Sequence, residues 1–386
     1  MSQDTHAEVR PASEKKRKLT LQYLVRALVK YGASDLHLRA GRPPLYRLQG
    51  KLVAAKMEEL TLSQIEGLLY PILSERQREK LKESRQIDLS FSLGAGGEAS
   101  GTRFRCNLFF QKGQLSAAIR MIPAVIPALS SLGLPAILSE LCERERGLIL
   151  VTGVTGSGKS TTLASMIQHI NEMQACHIIT IEDPIEFVHR DLRAVVTQRE
   201  VGSDTPSLQE ALRGGLRQDP DVIMIGEMRD PETISTALTA SETGHLVLST
   251  LHTTDAKGAI DRILDVFPGN ERSQVRTQLA SSLVAVIAQQ LVERADGKGR
   301  VPACEILIKS PAVESYIREG KHEKIPDAIA SSGNYYKMQS MNQSLHALLK
   351  AGIITEEVAL RSSHQPDDLR LILSGMVREE GYLPKR

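Results

Sequence analysis

The chain has 386 residues, 41% hydrophobic and 24% charged, with a formal net charge of +2. That length suits two or three domains with their own cores. The near balance of charge argues against a protein-wide basic surface for nucleic acid, and no apolar run approaches the ~20 residues of a membrane span.

Residues 1–18, MSQDTHAEVRPASEKKRK, are polar and lack the apolar segment of a secretory signal. They read as a flexible tail whose EKKRK run is a solvated charge cluster. Residues 19–31 carry apolar positions at helical spacing up to Gly32. Ser34–Arg39 alternates like a strand, and Pro43, Pro44 and Gly50 punctuate strand-like pieces around Tyr46 and Leu52. Residues 62–83 predict two short helices. Gln86–Leu93, Thr102–Phe110 and Leu115–Ile122 predict strands, separated by the turns Gly94–Gly101 and Lys112–Gly113. The stretch 19–122 is therefore expected to be an α+β domain, and Pro123–Pro135, rich in proline, serine and glycine, its linker.

From 136 to 386 the pattern changes. The apolar runs Leu148–Val151, His177–Ile181, Asp221–Ile225 and Leu246–Leu251 alternate with helical segments. Such runs predict a parallel sheet buried by helices on both faces, an α/β domain. Beyond Asp255 the pattern predicts mostly helix, with one strand at Pro302–Ile308. The four cysteines, Cys106, Cys142, Cys176 and Cys304, form no CxxC pair. They read as reduced core residues of a cytoplasmic protein rather than a zinc module.

Residues 153–160, GVTGSGKS, carry the chemistry. Gly153, Gly158, Lys159 and Ser160 occupy the fixed positions of the phosphate-loop pattern G-x-x-x-x-G-K-[ST], after an apolar strand and before a helical stretch, Thr161–Ile170. That arrangement aims backbone N–H groups and a helix dipole at an anion. The candidate nucleotide-binding set is Gly153, Thr155, Gly156, Ser157, Gly158, Lys159, Ser160 and Thr161. Lys159 would reach the β- and γ-phosphates and Ser160 would ligate Mg²⁺.

Hydrolysis needs an acid at the end of a neighbouring strand. DVIMIG ends at Glu227, placed to polarise water or to hold the metal shell. A second strand, Ile178–Phe187, ends in Glu182, Asp183 and Glu186, carboxylates that would repel without a cation. Glu186 is the favoured second acid, with a plain turn at Asp183-Pro184 as the alternative. His245 and His252 flank the strand LVLSTL, available either to bond phosphate or to serve structure.

Together GVTGSGKSTT, TIEDPIEF, LRQDPDVIMIGEMRD and TGHLVLSTLHTTDAKGAIDRILDVFP resemble the Walker A, Asp, Walker B and His boxes of the type II/IV secretion ATPases. GASDLHLRAGRPPLYRLQGKL is similar to the N-terminal start of the family's pilus-retraction (PilT/PilU) branch. The resemblance implies a RecA-like P-loop ATPase domain preceded by a PAS-like domain. It further implies ATP and Mg²⁺ as ligands and a homohexameric ring in the cytoplasm at the inner-membrane base of a type IV pilus. Implied partners are a pilus platform protein and a paralogous ATPase, with no nucleic acid. The family's catalytic glutamate falls on Glu227, its Asp-box glutamate on Glu186 and its His-box residues on His245 and His252. Its arginines that approach the phosphates fall on Arg105 and Arg120, with Arg103 their neighbour. The zinc insert of the assembly branch is missing, which directs the reading to retraction. The retraction-associated motif is altered to PAVESYIREGK, residues 311–321, where Val313, Glu314 and Ser315 depart from the pattern. An accessory PilU-like role therefore stays open.

Overall fold

A computed structural model describes residues 19–94, 102–122 and 125–375; the tail 1–18 and most of the turn 94–101 lie outside the described residues. The chain divides into two compact units, Met1–Val125 with Glu186–Val188, and Ile126–Ile185 with His189–Arg386.

The first unit contains β1 (Asp35–Leu38), β2 (Leu45–Leu48), β3 (Lys51–Ala54), β4 (Gln86–Ser92), β5 (Arg103–Gln111) and β6 (Gln114–Met121). They form a six-stranded antiparallel sheet in the order β3-β2-β1-β6-β5-β4. Helices Leu21–Lys30, Leu62–Leu69 and Glu75–Ser84 supply Leu24, Leu28, Ile65, Leu69 and Leu81 to one core with Leu36, Phe104, Leu108 and Ile119. Thr61 and Ser74 start the second and third helices with reciprocal capping boxes. Alternation along β5 sends Phe104, Cys106 and Leu108 inward and leaves Arg103 and Arg105 on the opposite face.

The second unit contains β7 (Gly147–Thr152), β8 (His177–Glu182), β9 (Val195–Glu200), β10 (Val222–Ile225), β11 (Leu246–Leu251), β12 (Leu283–Glu293) and β13 (Arg300–Ile308). Its seven-stranded sheet runs β13-β12-β7-β11-β10-β8-β9, parallel from β12 to β9, with β13 antiparallel at one edge. Strands β7, β10 and β11 are buried at every position, as uninterrupted apolar runs require in a sheet covered on both faces. The chain is thus of the α/β class, with one antiparallel and one mixed sheet. No described helix is long and apolar enough to cross a membrane.

The division between the two units falls within the expected linker, after Val125. Residues 123–124 lie outside the described set, whereas Leu129 is buried in the core of the second unit and Ser165 donates its hydroxyl to Pro127 O at 2.8 Å. The helical expectation beyond Asp255 is corrected at Leu283. Helix Gly269–Ser282 ends there without glycine or proline, and the chain turns extended into β12. Three helices, Met341–Lys350, Glu356–Ser362 and Pro366–Leu373, then close over Val292, Val301 and Ala303.

Glu305, on β13, ties two helix starts together. Its carboxylate accepts from Ala256 N at 2.8 Å, the first residue of helix Ala256–Asp265, and from the Met341 backbone. Burial pushes this carboxyl up to about 7; the two N–H donors oppose the rise and Asp255 adds to it. An unfolded-state glutamate titrates near pH ~4.3. Between that pH and about 7 the unfolded chain therefore releases a proton that the folded chain keeps, so stability falls as pH rises through the window and then levels off. The effect is on the order of 3 kcal/mol. Glu305→Gln, which cannot ionise, is expected to flatten this slope and to gain stability over the parent at pH 8 but not at pH 4. Urea melts at the two pH values check this, and parallel shifts at both would refute it.

Candidate functional site

Because β7, β8, β10 and β11 run parallel, everything that follows their last residues emerges at one edge of the sheet. Gly153 follows β7, Asp183 follows β8, Gly226 and Glu227 follow β10, and His252 follows β11. This edge is where an open parallel sheet places its ligand.

The loop leaves Thr152 through Gly153 at φ 147° and enters helix Lys159–Met173 through Gly158 at φ 92°. Neither position admits a side chain. A Cβ on Gly153 would lie 2.3 Å from Gln289 O, and one on Gly158 would lie 2.8 Å from Gln289 Nε2. The helix has Gly158 as its N-cap, without a side-chain cap bond. Its first N–H groups have no acceptor within the helix, the condition for anion binding. Lys159 is buried, and its Nζ donates to Gly153 O at 2.8 Å and Val154 O at 3.1 Å, which holds the ammonium across the mouth of its own loop. Ser157 Oγ is buried without a hydrogen-bond partner. Thr155 and Gly156 are exposed, and Ser160 and Thr161 are half-buried in the first helical turn. Glycines that cannot carry a side chain, an uncapped helix start and an enclosed lysine fit a nucleotide phosphate.

Glu227 sits at the same edge. Gly226 is fixed by its N–H to Ile181 O (2.8 Å) and by Thr250 Oγ1 donating to its carbonyl (2.6 Å). Glu227 Oε2 accepts from Arg229 at 2.6 Å, and Oε1 lies 3.4 Å from His252 Nε2. Burial alone would raise this carboxyl, but the hydrogen bond from Arg229 and the neighbouring His252 outweigh it and hold the group below the usual glutamate range. Glu227 is thus an anion at neutral pH, with His252 beside it. Asp183 adds its field to Arg229.

The other candidates separate. His245 precedes β11, at the opposite edge, one six-residue strand (about 20 Å) from the loop edge. Its Nδ1 lies 2.9 Å from Ala240 O, closing the preceding helix. The second unit thus does not bring His245 to its own phosphate loop. Glu182 is buried and accepts from Thr180 Oγ1 (2.8 Å) and Gln198 Nε2 (3.1 Å), so neutral donors within the sheet already serve one of its oxygens. Glu186 is exposed and belongs to the stretch grouped with the first unit. In that unit Arg120 Nε donates to Asp35 at 2.8 Å, and Arg105 lies 3.8 Å from Asp88. Among the described residues no group of three or more His, Cys, Asp or Glu side chains is placed to hold a metal ion.

The sequence reading missed Gln289, on β12. Its amide is buried, donates to Ser157 O at 2.8 Å and accepts from Thr162 Oγ1 at 2.8 Å. The signal was present: a glutamine within the apolar run LVAVIAQQLV, where a buried amide must find partners.

The family model for type II/IV secretion system proteins matches residues 123–362, a span that includes the loop, Glu227 and His252. The chain belongs to the type II/IV secretion system protein family. Within the family it is 45% identical over 340 residues to the type IV pilus retraction ATPase PilT of Pseudomonas aeruginosa, covering 88% of this chain and 96% of that one. It is 40% identical over 356 residues to the type IV pilus ATPase PilU of the same organism, covering 92% and 91%. The crystal structure of the pilus retraction motor PilT with bound ADP superposes with a TM-score of 0.84 at 47% identity, covering 91% of this chain and 99% of that one. The family match begins at 123, so Arg105 and Arg120 lie outside it.

Proposed function

We propose that this chain is the subunit of an ATP-driven motor that powers retraction of a type IV pilus. The chain is an ATP hydrolase of the type II/IV secretion family; the further reading is a homohexamer at the cytoplasmic base of the pilus, working against an inner-membrane platform protein. The observation that carries it is 45% identity to a retraction ATPase along 88% of this chain and 96% of that relative. In this reading the second unit is RecA-like and the first PAS-like. Loop residues from Gly153 to Thr161 grip the phosphates of ATP. Bound Mg²⁺ would neutralise charge shared by the β- and γ-phosphates. Ser160 fits as its protein ligand. Glu227, at the same sheet edge with His252 beside it, fits as the group that orients water and accepts its proton once Arg229 withdraws. Arg105, Arg120 and Glu186 are proposed to act on the phosphates during hydrolysis, and His245 to act elsewhere in the ring.

Deletion of the protein in its host, with pili counted and twitching scored, tests the proposal. Excess pili without twitching support retraction; bald cells would point to assembly instead.

A second reading, an accessory ATPase resembling PilU, is favoured by helix Pro311–Glu319. Its core side buries Val313 and Ile317. On its exposed side Glu314 pairs with Arg318 at 2.5 Å, and Ser315 donates to Glu319 at 2.7 Å. Of the residues that depart from the retraction motif, Val313 is thus buried, Glu314 is engaged by Arg318 and Lys309, and Ser315 by Glu319. If the purified chain hydrolyses ATP but restores twitching only alongside a second retraction ATPase, the accessory reading holds.

A further inference from the structure

We infer that Gln289 is a positioning residue for nucleotide binding: its one side-chain amide fixes the Ser157–Gly158 peptide and the first turn of the loop helix together. The inference rests on the nucleotide reading of the loop and adds to it a residue from outside the loop, on β12.

The amide bridges two points that must stay in register. Nε2 donates to Ser157 O at 2.8 Å, and Oε1 accepts from Thr162 Oγ1 at 2.8 Å. Because a carbonyl can only accept, the amide nitrogen must face Ser157, which fixes the orientation of the side chain. A peptide group is planar, with its C=O and N–H pointing in opposite directions. Anchoring Ser157 O on β12 therefore turns the Gly158 N–H away from β12, toward the open side of the loop. The same residue meets the loop at both glycines: its backbone oxygen blocks a side chain on Gly153 and its Nε2 blocks one on Gly158. Thr162 N bonds to Gly158 O at 3.0 Å, so the hydroxyl that Gln289 holds sits on the first closed turn of the helix.

Leucine or methionine offers neither bond, and an ionised glutamate cannot donate to Ser157 O. The site is buried, so Ser157 O and the Thr162 hydroxyl would be left unpaired in a dry environment.

The test uses the full-length protein and three variants: Gln289→Met, Thr162→Val and the double variant. ADP affinity is measured by titration calorimetry, and KM and kcat for ATP by phosphate release. Gln289→Met is expected to weaken ADP binding and raise KM for ATP roughly 10- to 100-fold, with kcat at saturating ATP within about threefold of the parent. Thr162→Val alone is expected to weaken ADP binding less, and to add little in the Gln289→Met background, because the bond it removes is already gone. Unchanged ADP affinity in folded Gln289→Met, or fully additive losses in the double variant, would overturn the inference. If Gln289→Met does not fold, an unchanged ADP affinity in Thr162→Val overturns it alone. Failure of the parent protein to bind ADP would instead overturn the nucleotide reading, and the inference with it.

Discussion

Lys159→Ala is expected to weaken ADP binding at least about 100-fold and to reduce ATP turnover to background. Lys159 is buried, with its ammonium donating to Gly153 O and Val154 O, and it starts the helix whose N–H groups face the same loop. An enclosed ammonium held by carbonyls trades neutral partners for an anion when phosphate arrives, so the bond it forms there is charge-assisted and poorly screened. Alanine removes that charge and keeps the helix start, because alanine is the best helix former. The loss should therefore fall on binding rather than folding. Calorimetric titration with ADP and a thermal melt without nucleotide separate the two. Lys159→Ala with near-parental ADP affinity would remove the lysine from the site.

The loop was legible in the sequence because its constraints are local. Two glycines at positive φ, a lysine and a hydroxyl must stand at fixed spacing, and the apolar run before them is long enough to declare a buried strand. Glu227 was legible for the same reason: it follows a strand buried at every position. β12 was not. Gly269–Ser282 is a helix that ends without a breaker, and LVAVIAQQLVE has no alternation, since both its faces are covered. With β12 went Gln289, whose partners lie 127 and 132 residues away. β9, VVTQRE, with an exposed valine at its start and half-buried or buried, mostly polar residues after it, carries equally little signal. For His245 and His252, which flank LVLSTL, the sequence leaves phosphate bonding and a structural role both open; a strand has two ends, and His252 is the one that follows β11 at the ligand edge. Arg105 and Arg120 came from resemblance alone. The antiparallel register pairs them directly across β5 and β6, and within their own sheet each faces a carboxylate.

Glu227→Gln should separate binding from chemistry. The carboxylate stands at the sheet edge from which the phosphate loop also rises, fixed through Gly226 to β8 and β11, and it is ionised in the resting geometry. A carboxylate held low by Arg229 is a weak base, because the guanidinium occupies one oxygen at 2.6 Å. For Glu227 to accept a proton from water, Arg229 must withdraw, and its largely exposed side chain is free of packing that would prevent this. Glutamine keeps the size and one acceptor but loses the charge and the basic oxygen, so the loop and its lysine remain intact. The expected result is ADP affinity within about threefold of the parent and kcat lower by about 10²- to 10⁴-fold, the usual worth of a positioned general base. Single-turnover phosphate release and ADP titration on the same preparation check it. Near-normal turnover would transfer the base role to another group. Equal losses of affinity and turnover would show instead that Glu227 holds the nucleotide. Arg229→Ala offers the converse reading. With the guanidinium gone the carboxyl should titrate higher, and the acid limb of the pH–rate profile should move up in pH only if Glu227 is the group that takes the proton.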